Sequence, residues 1–80
     1  MNRKQLFQLF REQGITKDET PSGAEQAVVD FLVRYFGGEG HEEWAARPKN
    51  LGEGIKEYET PDEMARAIVR EAIKDLKARR

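Results

Sequence analysis

The sequence predicts an all-α fold, a small helical bundle with three main helices over residues 3–13, 22–36 and 61–78. Two observations carry the prediction. Apolar residues recur at three- and four-residue spacing through all three segments. Each segment also opens on a capping residue with glutamine or glutamate three positions later. A short helix near 42–47 and a glycine-rich connecting loop complete the architecture, in one domain over 1–80.

The first helix begins after Asn2, whose side chain is suited to cap it, with Gln5 at the reciprocal position of a capping box. Leu6, Phe7, Leu9 and Phe10 supply its apolar positions, and Gly14 is placed to end it. One helix cannot direct all four of those large groups to the same side.

The second helix has the strongest core signature. Thr20-Pro21 and Ser22-Gly23-Ala24-Glu25 offer two overlapping start signals, a proline just after a cap residue and a Ser-x-x-Glu box. Ala24, Ala27, Val28, Phe31, Leu32 and Tyr35 fall at helical spacing, and Val29, Val33 and Phe36 widen the stripe. Only Glu25, Gln26, Asp30 and Arg34 form a polar edge. A helix this apolar belongs at the centre of the fold, contacted on several sides. Gly37-Gly38 ends it.

The third helix opens on Thr60-Pro61-Asp62-Glu63, which joins an N-cap, a first-turn proline and acids at the positive end of the helix dipole. Met64, Ala65, Ile68, Val69, Ala72, Ile73 and Leu76 form its stripe, and Lys74, Lys77, Arg79 and Arg80 place positive charge at the other end. Between helices, residues 37–60 hold five of the seven glycines and Pro48. Trp44 is expected beneath the short helix, with Ile55 and Tyr58 as apolar anchors. A strand at 55–59 would have no partner.

A faint echo runs at an offset of 40. Gly14-Ile15 matches Gly54-Ile55, Glu19-Thr20-Pro21 matches Glu59-Thr60-Pro61, and Ala27 and Val29 match Ala67 and Val69. A duplicated helical unit would produce this pattern. So would convergence, because Thr-Pro caps and apolar stripes recur wherever helices begin.

The 80 residues include no cysteine, so neither disulfides nor thiolate zinc can staple the fold, and a reducing cytoplasm suits the chain. No apolar run nears the roughly 20 residues that span a bilayer, and Met1-Asn2-Arg3-Lys4-Gln5 does not open a signal peptide. A cytoplasmic protein without membrane association is expected. The formal net charge of −1 hides a division: residues 1–17 carry +3, residues 18–63 carry −8 and residues 64–80 carry +4. If the basic ends do not meet the acidic middle, the molecule has faces of opposite sign.

Catalytic chemistry has little to work with. His41 is the sole histidine and has Ala45 four positions on, where a zinc-protease helix needs a second histidine. Glu39, Glu42 and Glu43 lie beside it, but adjacent carboxylates on a short helix do not converge on one ion. The glycine clusters follow a helix or enclose Glu53, unlike a phosphate-cradling loop. The single serine, Ser22, reads as a helix cap. No enzyme activity, cofactor or metal is expected.

Two surfaces stand out instead. Glu39, Glu42, Glu43 and Glu53 would steer a basic partner toward the aromatic anchors Trp44 and Tyr58. This predicts a small non-enzymatic protein-interaction module, an adaptor or inhibitor that binds another protein, a protein complex or a second copy of itself. The alternative is nucleic-acid binding. Arg66, Arg70, Lys74 and Lys77 share one face of the last helix, and the basic N-terminus would add Arg3 and Lys4. Those last two residues also break a local rule, since cations at a helix N-terminus oppose its dipole.

Overall fold

A computed structural model describes residues 1–46 and 60–78. Among these residues lie four helices: α1 (Arg3–Glu12), α2 (Ala24–Phe36), α3 (His41–Ala46) and α4 (Pro61–Ala78). The protein is an all-helical bundle, as the periodicity predicts. Among the described residues no helix is long and apolar enough to cross a membrane. The sequence positions at 47–59, including Glu53, Ile55 and Tyr58 and the suggested strand, lie outside the described residues, as do Arg79 and Arg80.

The ends of α1 form as their residue types dictate. The Asn2 side chain accepts from the Gln5 backbone N–H at 2.9 Å, and Gln5 Oε1 accepts from the Asn2 backbone N–H at 2.9 Å. Two otherwise unmet donors of the first turn are thereby satisfied. At the other end Gly14 takes φ +76°, a conformation that costs a residue with a side chain about 1–2 kcal/mol. That turn lets the Gly14 N–H reach the Arg11 carbonyl and the Ile15 N–H reach the Phe10 carbonyl, completing a Schellman motif. Its customary apolar partners are Phe10 and Ile15, 1% and 2% exposed, and both belong to the core.

The start of α2 differs from the sequence reading. Its N-cap is Gly23, at φ +81° with no side-chain cap, and the Ser22 side chain is exposed. The helix therefore begins one residue later than the Ser-x-x-Glu box implies. Pro21 instead closes a turn through the Ala24 N–H to its carbonyl at 3.0 Å. By contrast, Thr60 caps α4 directly, its hydroxyl accepting from the Glu63 N–H at 3.2 Å. The two Thr-Pro pairs of the 40-residue echo thus occupy different structural positions, which favours convergence over duplication.

Helix α2 is the hub and touches each of the other three. It buries Ala24, Val28, Val29, Leu32 and Phe36 against Leu6 and Phe10 of α1 and against Met64, Ala65, Val69 and Ala72 of α4. Removing a side chain such as Leu32 from water contributes about 1.5–3 kcal/mol. Phe31 is an exception to the predicted stripe. It is 39% exposed, because a helix contacted by unequal neighbours still leaves one sector uncovered.

The turn from α2 to α3 is held by the Gly38 and Gly40 N–H groups, both donating to the Tyr35 carbonyl. The Gly40 carbonyl then accepts from the Trp44 N–H at 3.1 Å to start α3. Gly40 is buried beneath the Tyr35 ring, and a Cβ there would lie 2.2 Å from Tyr35 Cε2. Glycine is required by space at this position, not by backbone angle.

Candidate functional site

A groove of about 650 Å³ runs along α1. Phe7 and Leu76 contribute its accessible apolar surface, with the almost wholly buried Phe10 and Ile15 beneath them. Arg3, Lys4, Arg11 and Lys17 surround it, and among the described residues no carboxylate lines it. Its volume falls within the range of ligand-binding clefts.

Each part is placed by a local rule already visible in the chain. Residues 4, 7 and 11 are spaced by three and four, so Lys4, Phe7 and Arg11 form one row on α1. Seven residues at 1.5 Å each separate the two cations by about 10 Å along the helix axis. The Schellman turn folds Ile15 back onto Phe10 and closes the end of the groove. Beyond it, the Thr16 N–H donates to the Glu19 carbonyl at 2.8 Å, while the Thr16 hydroxyl accepts from the Asp18 and Glu19 N–H groups. This turn fixes the backbone that carries Lys17. Leu76 from α4 supplies the opposite wall.

The cations of the rim differ in what they meet. The Arg3 guanidinium lies 3.5 Å from Asp75 and 5.8 Å from the centroid of the Phe7 ring. Phe7 in turn meets Phe10 edge-on, with centroids 5.7 Å apart. Arg11 donates to the Gln8 side chain at 2.7 Å, a neutral partner, and has no ion pair among the described residues. Neither Lys4 nor Lys17 has a carboxylate partner among the described residues. Composition placed net positive charge in this segment. The apolar floor was harder to see, because it joins side chains from α1, a turn and the far end of α4.

The acidic and aromatic surface expected from sequence is divided. Glu39, His41 and Glu42 are exposed at the turn and on α3. Glu43 instead accepts from the α-amine of Met1 and from the Tyr35 hydroxyl, and the Met1 amine also lies 3.1 Å from that hydroxyl. The Tyr35 phenol is raised above its ordinary value, first by its hydrogen bond to Glu43, then by partial burial and the charges of Glu43 and Glu39. Trp44 is half-buried and packs on the core. Tyr58 and Glu53 lie outside the described residues. No group of acidic or histidine side chains among the described residues is placed to hold a metal.

The basic stripe of α4 is also partly engaged. Arg66 donates to Asp62 at 2.8 Å and to Gln26 at 3.3 Å. The hydrogen bond to Asp62 is the main reason its guanidinium is held above its ordinary value. Arg70 borders a hollow of about 300 Å³ that Glu25 also lines, and Lys74 and Lys77 are exposed. Arg3 and Lys4, grouped with this stripe on charge alone, belong to the α1 groove.

A last surface, of about 300 Å³, lies between α1 and α2, where Leu9 and the exposed Phe31 sit with Asp30 and Arg34. Neither a protein-family model, nor a curated protein, nor a solved structure matches the chain.

Proposed function

We propose that this chain is a small non-enzymatic protein-interaction module, an adaptor or inhibitor that acts by occupying a surface of a larger protein. The observation that carries this reading is the α1 groove, an apolar recess framed by cations on a rigid helix and a hydrogen-bonded turn. Interfaces concentrate binding energy in such recesses and use surrounding charge for orientation and rate. A further support is that every ionisable side chain among the described residues reaches solvent. A general acid with a raised pKa is ordinarily made by burying one in an apolar setting.

Under this proposal the binding surface lies on α1, since Glu43 and Trp44 of the acidic corner make contacts within the molecule. The reading includes a cytoplasmic location, which a cysteine-free chain suits.

A photo-crosslinking amino acid at Thr16, which is exposed and lines the groove, tests the proposal in the native cell. Discrete adducts that protease removes and nuclease does not are expected, with none from the same group at Lys77. Adducts lost to nuclease would replace this reading with nucleic-acid binding. No adduct from Thr16 would end it.

A further inference from the structure

Resting on the module reading, we infer that the α1 groove receives an acidic amphipathic helix of the partner, with apolar side chains set between two carboxylates about two turns apart. The spacing follows from the receptor. Lys4 and Arg11 stand seven residues apart on one face of α1, with Phe7 between them. A helix laid along α1 meets that row with its own residues i and i+7, and offers i+3 and i+4 to the floor. Lys17, held on its turn at the end of the groove, favours a further acid beyond the second carboxylate.

Charge and shape select this occupant over other anions. Among the described residues no carboxylate lines the groove, and the nearby Asp75 is paired with Arg3, so an acidic segment meets mainly cations there. A single-stranded nucleic acid needs aromatic faces on which to stack its bases. The one half-exposed ring here, Phe7, already has the Arg3 guanidinium over its face. Arg3 is also paired with Asp75, which leaves Lys4, Arg11 and Lys17 for a ligand, few for a polyanion. A membrane surface would require the apolar groups to protrude, whereas Phe10 and Ile15 are almost wholly buried at the bottom of a recess.

The test is fluorescence anisotropy with a labelled helical peptide of about four turns, carrying glutamate at i and i+7 and leucine at i+3 and i+4. Companion probes replace the glutamates by lysine or the leucines by serine. An oligouridine strand and phosphatidylglycerol vesicles form the other arms. The parent peptide should bind, with affinity falling as salt rises. The serine peptide should bind about ten- to hundred-fold more weakly. The lysine peptide should not bind. Lys4→Glu combined with Arg11→Glu should weaken the parent by about ten-fold, while circular dichroism confirms the fold.

Amide shifts of the unaltered chain provide a measurement independent of any variant. They should be largest at Phe7, Ile15, Thr16 and Leu76 on adding the parent peptide. Shifts centred on α3, equal binding of the parent and lysine peptides, or binding of oligouridine or vesicles without the peptide would overturn the inference. Protein adducts at Thr16 in the cell, together with failure of the peptide, would leave the module reading standing and refute the acidic helix. Peptide binding with no cellular adduct would end the module reading and leave only the groove's preference for an acidic helix.

Discussion

Gly40→Ala is a small change with a large expected effect. A Cβ built on Gly40 lies 2.2, 2.4 and 2.7 Å from three carbons of the Tyr35 ring. Ordinary carbon contacts begin near 3.5 Å, so the ring or the turn must retreat by more than about 1 Å. The ring is not free to swing. Its hydroxyl contacts the Met1 amine and Glu43, and its edge packs against Phe36 with centroids 5.4 Å apart. Overpacking of this kind costs about 1–3 kcal/mol. Alanine also restricts the unfolded chain, which offsets about 0.4–1 kcal/mol. A net loss centred on about 1.3 kcal/mol, and at most about 2.6, remains, or roughly 5–10 °C in Tm at the central value for a domain this small.

Thermal and urea unfolding followed by circular dichroism would measure the loss, and a second background isolates its cause. In Tyr35→Ala the three clashing carbons are gone, so Gly40→Ala should be neutral there or slightly stabilising. Gly40 is not among the positive-φ glycines, so backbone strain offers no competing account. An unchanged Tm in the parent background, or an equal loss in both, would refute the steric reasoning.

Gly23→Ala should destabilise for the opposite reason. Nothing lies within 4 Å of its built Cβ, but φ is +81°, so about 1–2 kcal/mol of strain is expected and Gly23→Asn should recover part of it in the same unfolding assay. Leu32→Ala, at a side chain 1% exposed, should lose about 2–5 kcal/mol and lower the urea midpoint with little change in slope. That is a large share of the roughly 4–12 kcal/mol expected for a domain of this length. Phenolate absorbance, taken as the difference between the parent and Tyr35→Phe, should show Tyr35 titrating above its ordinary value of 10.0, and Glu43→Gln should move it back toward that value. Because the folded-state value is raised, the associated stability is present below pH 10 and disappears as pH climbs through the folded pKa.

The helices were legible in the sequence because their signals are local. Asn2 with Gln5, Gly14 and Thr60 act where their side chains or lack of them require, and Gly37 marks the end of α2. The start of α2 was misread because two cap signals overlapped and an αL glycine, which has no side-chain signature, took the position. Phe31 was placed with the core because periodicity gives a face and not the breadth of what covers it. The floor of the groove could not be read at all from spacing. Phe7 and Leu76 are 69 positions apart, and only the packing of both helices on α2 brings them to one recess. The rim was visible as net charge, but the pairing of Arg66 with Asp62 and Gln26, and of Arg3 with Asp75, was not.

The charge layout also sets stability against binding. The basic N-terminal segment meets the acidic middle through the Met1 amine and Glu43, while Arg3 turns to Asp75 on α4. Lys4, Arg11 and Lys17 are left on one side of the molecule without an acidic partner among the described residues. Lys4 also sits in a first turn that contains no acid, where the helix dipole opposes it. For the isolated domain, glutamate would be the better residue there. Lys4→Glu should therefore raise stability by about 0.3–1 kcal/mol, read as a higher urea midpoint, while weakening the acidic peptide. Variants that gain stability at the expense of function are expected where a residue is kept for binding. If Lys4→Glu instead destabilises the fold, Lys4 serves the structure, and the groove loses one of the two charges that set the register of its partner.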